Sequence, residues 1–121
     1  PAWSNVTLTT TDFWVDAPVA TVKPVVTGDF AAVGVQLTGT RGTWTSISAY
    51  FRPQWYRCTS AGTTTPTSAN LTGCSAISGA TKATYKAVTA DKGKYLRLRV
   101  KAQNESGTVY RWSKATVKIA P

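Results

Sequence analysis

The side chains of this 121-residue chain that could do chemistry are few, and most of them are cationic or aromatic. Fourteen Lys and Arg stand against five Asp and Glu, His is absent, and Cys58 and Cys74 are the only cysteines. The carboxylates Asp12, Asp16, Asp29, Asp91 and Glu105 are scattered along the chain. General acid–base or nucleophilic catalysis needs a base poised beside its partner, and nothing in this spacing supplies one, so no enzymatic role is expected. Asp12 and Asp16 are too few to cage a hard cation, and without His or free thiols a soft-metal site has no ligands. No metal or cofactor is therefore expected.

One constellation has a chemical use. Period-two alternation sets Tyr50, Arg52 and Tyr56 on one side of a strand, and Arg97, Arg99 and Lys101 on one side of another. Trp112 and Lys114 follow on a third strand, with Tyr110 nearby. If the three strands are neighbours, these residues share a basic, aromatic sheet face. Aromatic planes stack on sugar rings and guanidinium groups clamp carboxylates, so such a face suits an acidic polysaccharide or a cell-wall polymer. The competing reading is that exposed sheet faces carry cations for solubility and aromatics for β-propensity alone. Single-stranded nucleic acid would meet the same chemistry, but no RNA-binding signature is present and an oxidising location argues against it, so no nucleic-acid partner is expected.

The elements that must position these residues are strands. Thr, Val and Ala dominate, charged residues make up only 16%, and no segment sustains the i, i+3, i+4, i+7 pattern of a packed helix. An all-β fold of about seven antiparallel strands is expected, in one domain over residues 19–121 with an N-terminal extension or linker strand over 1–18. Val19 to Thr27 reads as the first strand, with Pro24 holding it to an edge, and Val33 to Thr40 as the second. Tyr50 to Cys58 is the central strand, with Phe51, Pro53 and Trp55 inward. Thr84 to Val88 precedes a tight Asp91-Lys92-Gly93 corner. Tyr95 to Gln103 then turns Leu96, Leu98, Val100 and Ala102 inward, and Val109 to Ile119 closes the domain, burying Ala115, Val117 and Ile119. Thr59 to Gly73, rich in Ser, Thr and Gly, reads as a polar surface loop dispensable to the core. Val6 to Thr11 also alternates, and could pair with a neighbouring copy by strand addition to build a fibre or stalk.

A loop that leaves a strand at Cys58 and returns at Cys74 closes naturally, and a bridge there would contribute about 3 kcal/mol by the loop-entropy estimate. Two reduced, buried cysteines are the alternative. The bridged reading implies an exported protein, secreted or on the cell surface. No apolar run approaches a membrane span, and Pro1-Ala2-Trp3 does not open a signal peptide. Net charge is +9, and ten of the fourteen basic residues lie between Lys82 and Lys118, so the positive field belongs to the C-terminal strands. Each Asn heads an N-x-S/T triplet, at Asn5, Asn70 and Asn104; chance accounts for this in a chain so rich in Thr and Ser.

Gly42-Thr43-Trp44, Gln54-Trp55-Tyr56-Arg57-Cys58, Cys74-Ser75-Ala76-Ile77-Ser78-Gly79-Ala80-Thr81, Thr84-Tyr85, Asp91-Lys92-Gly93 and Leu96-Arg97-Leu98-Arg99-Val100-Lys101-Ala102-Gln103-Asn104 occur in that order. In this ordering the chain resembles an immunoglobulin-like repeat module of large secreted and wall-attached proteins of Gram-positive bacteria. The resemblance implies an immunoglobulin-like β-sandwich, a local Cys58 to Cys74 bridge across the loop after the central strand, and a spacer or display role beside neighbouring domains of a larger protein. It carries no catalytic residues. The chain departs from antibody-type domains, whose disulfide joins the second strand to the penultimate one: here the second strand has no Cys. The expectation is a non-catalytic structural or display module, with carbohydrate binding through the basic-aromatic face as the alternative and a strand-addition stalk as a further one.

Overall fold

A computed structural model describes residues 16–27, 30–45, 49–62 and 64–121. The expected strand Val6 to Thr11 lies outside the described residues. Among those described, the protein is all-β, with nine strands rather than seven: β1 (Val19–Val22), β2 (Val25–Thr27), β3 (Gln36–Thr40), β4 (Thr43–Thr45), β5 (Tyr50–Cys58), β6 (Cys74–Ala76), β7 (Thr84–Lys86), β8 (Tyr95–Asn104) and β9 (Gly107–Trp112). They form three antiparallel sheets, ordered β1-β4, β2-β3-β7 and β6-β5-β8-β9.

Two of the additional strands come from interruptions in one long ribbon. Val22 pairs with Thr43 and Val25 with Thr40, the same register on both sides of Lys23 and Pro24. Pro24 has no N–H to donate and is fully buried, so the ladder lapses there and the expected single strand Val19 to Thr27 becomes β1 and β2. Opposite the break, Gly42 adopts φ 82°, and a Cβ at this position would run into the carbonyl of Val22. Arg41-Gly42 is therefore the crossing point between β3 and β4.

β5 and β8 are the centre of the fold, paired without a slip over all nine residues of β5, from Tyr50 opposite Gln103 to Cys58 opposite Tyr95. This register puts Phe51, Pro53, Trp55 and Arg57 on the face shared with Ala102, Val100, Leu98 and Leu96. That face meets Leu37 of β3 and the partly buried Val26 and Tyr85 of β2 and β7, so two layers enclose one apolar core, consistent with a β-sandwich. Trp55 is wholly buried; its ring stacks on Tyr85 at 5.7 Å, and its indole N–H donates to the Lys82 carbonyl at 2.8 Å. The apolar mass and the satisfied donor together explain why one Trp can occupy the middle of so small a core.

The corner before β8 is closed by a buried acid. Thr89–Asp91 is a single 3-10 turn, and the Asp91 carboxylate, fully buried, accepts from Arg57 Nε at 2.6 Å, from the Tyr85 hydroxyl at 2.6 Å and from the Val88 N–H at 2.8 Å. Three donors from β5, β7 and the turn thus converge on one carboxylate. Burial and the hydrogen bond to Asp91 push the Tyr85 hydroxyl pKa up to about 12. Desolvation opposes the charge on Arg57, but its pairing with Asp91 outweighs this and leaves the guanidinium pKa above its ordinary value.

The last expected strand is only half formed. β9 ends at Trp112, and beyond it two hydroxyls stand in for ladder carbonyls: Ser113 Oγ accepts from Leu98 N–H at 2.9 Å and Thr116 Oγ1 from Leu96 N–H at 3.0 Å. The chain bulges between those points, so Ile119 is buried as expected but Val117 is 53% exposed. It then bridges to Ala32 through Ala120 in parallel orientation.

Candidate functional site

The register of β5, β8 and β9 builds the outer face of the four-stranded sheet row by row. Tyr56 lies opposite Arg97; Gln54, Arg99 and Trp112 form the next row, then Arg52, Lys101 and Tyr110, then Tyr50, Gln103 and Thr108. Seven of the eight residues singled out from alternation, Tyr50, Arg52, Tyr56, Arg97, Arg99, Lys101 and Trp112, therefore do project from one face. Lys114 does not join them. It follows the end of β9 and lines a separate groove between residues 21–26 and 114–117.

The expectation that this whole face meets solvent is overturned, because the loop after β5 folds back across half of it. Cys58 and Cys74, directly opposite one another on β5 and β6, are joined in a disulfide with Cα atoms 4.0 Å apart. The intervening chain then lays its carbonyls on the sheet. Arg97 Nη1 donates to Thr64 O at 3.0 Å, Arg99 Nη1 to Ala69 O at 2.8 Å, and the Trp112 indole N–H to Ser68 O at 2.6 Å. Tyr56 and Trp112 meet edge-on at 4.5 Å, and with Cys58, Leu71, Cys74 and Tyr95 they make a second small core beneath the loop. Tyr56 and Arg97 are each 5% exposed and Trp112 is 0%. The segment read as dispensable is thus the roof of a core. Alternation assigns a side chain to a face but is silent on what covers that face, which is why Tyr56, Arg97 and Trp112 looked available.

Arg97 is a cation enclosed by its own chain. Burial lowers its pKa from the ordinary value, and its hydrogen bonds run to carbonyls, Thr64 O and Ser113 O at 3.4 Å, with no carboxylate among the described residues to pair with it. Gly62 passes so close that a Cβ there would collide with Arg97 Nη2. The loop is fitted to the guanidinium at this point.

The other half of the face is open. Arg52, Gln54, Arg99, Lys101 and Thr81 line a groove of about 450 Å³, with Phe51 and Pro53 in its wall. Arg52 lies over the Tyr50 ring at 5.1 Å, and Arg99 sits against both Tyr56 at 5.1 Å and Tyr110 at 4.9 Å. The Tyr50 hydroxyl donates to Gln103 Oε1 at 3.0 Å, while the residue as a whole is 47% exposed. Gln54 is committed to the fold: its Nε2 donates to Ile77 O at 2.8 Å and to Ala80 O at 3.2 Å, holding the 77–80 segment against β5. Among the described residues the one salt bridge is that of Arg57 with Asp91, so Arg52, Arg99 and Lys101 face no carboxylate. Tyr110, expected near the candidates of the third strand, shares the parity of Trp112 on β9 and stands in the row of Arg52 and Lys101. Thr81 was not a sequence candidate, because it reaches the groove from a loop that no periodicity marks.

Of the N-x-S/T triplets, Asn104 is buried and donates through Nδ2 to Asp16 O at 2.7 Å, Asn70 is exposed on the loop, and Asn5 lies outside the described residues. No group of three His, Cys, Asp or Glu converges on a common point among the described residues, and no helix there is long and apolar enough to cross a membrane. Comparison with protein-family models, with curated proteins and with solved structures returned no match.

Proposed function

We propose that this domain is a non-catalytic structural or display module of a larger secreted or cell-surface protein, of the immunoglobulin-like β-sandwich class. The observation that carries the reading is where the chain enters and leaves the sandwich. On entry, the Asp16 carbonyl is held by Asn104 at the end of β8, and Ala17 lies beside Gly107. On exit, Ile119 N–H donates to Lys94 O and Gly93 N–H to Ile119 O, both at 2.9 Å, at the start of β8. The ten residues of β8 separate these points by roughly 33 Å at the strand rise of 3.3 Å per residue. A domain entered at one end and left at the other adds its full length to an array, which is what a spacer or display stalk needs.

Two further features agree with this. The disulfide is at home in an oxidising compartment and is compatible with an extracellular protein. The roofed half of the sheet uses Tyr56, Arg97 and Trp112 to hold the domain's own loop, a structural use of residues that could otherwise have served a ligand. Small-angle scattering on one, two and three tandem copies tests the proposal. The maximum dimension is expected to grow by at least about 33 Å per copy. Growth of less than half that, with copies folding back on one another, would sink the spacer reading.

A further inference from the structure

We infer that the open half of the sheet face is a binding groove for an acidic polysaccharide, whose oxyanions are held by Arg52, Arg99 and Lys101. Arg52 and Lys101 are direct cross-strand partners, and Arg99 lies on the same face one row away. Like charges directly opposite across a ladder repel, and no carboxylate among the described residues relieves them. A cluster kept at a cost to the empty domain is relieved when an anion sits between its members.

Geometry narrows the ligand. The guanidinium of Arg52 is laid on Tyr50, and that of Arg99 sits against Tyr56 and Tyr110 with Nη1 on Ala69 O and Nε buried, so Arg52 offers an oriented fork and Arg99 a fixed positive charge before a ligand arrives. Planar forks match the geometry of carboxylate and similar oxyanions, and pre-orientation lowers the entropy lost on binding. Tyr56 and Trp112 are roofed by the loop, and the rings of Tyr50 and Tyr110 each carry one of these guanidiniums, so little aromatic surface is left for a neutral sugar to stack on. Recognition therefore runs through charge and hydrogen bonds, with the Thr81 hydroxyl in reach of the groove, and acidic glycans are selected over neutral ones. The groove volume of about 450 Å³ falls within the range of small-ligand sites, and the groove is open on the sheet surface, so a chain can lie along it.

The test is calorimetric titration of the full chain with a tri-hexuronate, a sulfated trisaccharide and a neutral trisaccharide, at low salt and at about 0.15 M. Saturable binding of the uronate or the sulfated sugar, with none of the neutral one, is expected, and which acidic arm binds tighter identifies the oxyanion. Arg52→Ala and Lys101→Ala should each weaken binding roughly tenfold, the worth of one charge-assisted hydrogen bond. Lys114→Ala and Lys118→Ala remove the same charge away from the groove and should change affinity less than about twofold. Lys101→Gln should in addition leave the empty domain no less stable, as removal of a like-charge contact requires. Equal losses from all four Ala variants, binding of the neutral sugar, tighter binding of a single-stranded oligonucleotide, or no saturable binding would each overturn the inference. Arg52 is exposed and its truncation does not threaten folding, so the result remains readable if a substitution at Arg99 unfolds the domain.

Discussion

Removing the Asp91 carboxylate is expected to be among the most damaging single substitutions available, and its size can be worked from the contacts. The acid is fully buried and binds three donors at 2.6, 2.6 and 2.8 Å, one of them a guanidinium. Breaking a buried ion pair by deleting one partner costs about 3–5 kcal/mol. The Arg57 side chain keeps 28% exposure and can rehydrate, which places Asp91→Ala near the lower end, about 3 kcal/mol. Asp91→Asn keeps an acceptor for the Tyr85 hydroxyl or the Val88 N–H but loses the charge, for about 2 kcal/mol. With roughly 2.1 cal/mol/K of unfolding entropy per residue, 3 kcal/mol corresponds to a fall in Tm of about 12 °C. Urea unfolding followed by Trp fluorescence gives the free energies, and a double-mutant cycle with Tyr85→Phe isolates a coupling of about 1 kcal/mol. If both Asp91 variants unfold within about 1 kcal/mol of the wild type, the convergence of β5, β7 and the corner on this acid is not what holds the corner, and the reasoning fails.

The other predictions concern the roof and the ionisable groups. Cys58→Ser with Cys74→Ser should cost about 3 kcal/mol and expose Trp112 to acrylamide quenching; unchanged quenching would mean that the loop stays closed without the bridge. Tyr56→Ala, beneath the roof, should destabilise by about 3 kcal/mol, whereas Tyr50→Ala on the open half should fall within about 0.5 kcal/mol, as chemical denaturation would measure. Because the folded-state pKa of Tyr85 is about 12 against 10.0 unfolded, its contribution to stability is complete below pH 10 and is lost as pH rises towards 12. Tyr85→Phe should flatten that alkaline decline; equal declines in both proteins would exclude Tyr85 as its source. Gly62→Ala should loosen the loop by driving a methyl into Arg97, read as faster amide exchange across residues 64–71.

The alternation of β5 and β8 was legible because a half-buried strand writes its two faces into the chain at period two, and both strands appear within a residue of their expected ends. The Cys58 to Cys74 bridge was legible as the favoured of two states, since a loop between neighbouring strands brings its ends together. β6 was not legible: three residues carry too little pattern, and Cys74–Ala76 becomes a strand only because β5 offers its edge and the disulfide brings the chain there. The ending of β9 at Trp112 was likewise hidden, because Ser113 and Thr116 keep strand-like composition while their hydroxyls replace the ladder.

By itself the sequence determined the class of fold, the central strand pair and the chemical character of its outer face, because these depend on residues near one another along the chain. Only the tertiary structure decided which part of that face a ligand can reach. Arg97 and Arg99 differ by two positions and have the same chemistry, yet Arg97 is sealed under the loop while Arg99 borders the open groove. The difference comes from where the loop crosses the sheet: Gly62 and the Thr64 carbonyl, some thirty-five residues earlier in sequence, close over Arg97, whereas Arg99 meets the loop only through its Nη1 on Ala69 O and keeps its other side on the groove. Period-two patterning encodes the side of a sheet, and long-range backbone hydrogen bonding decides what lies over it.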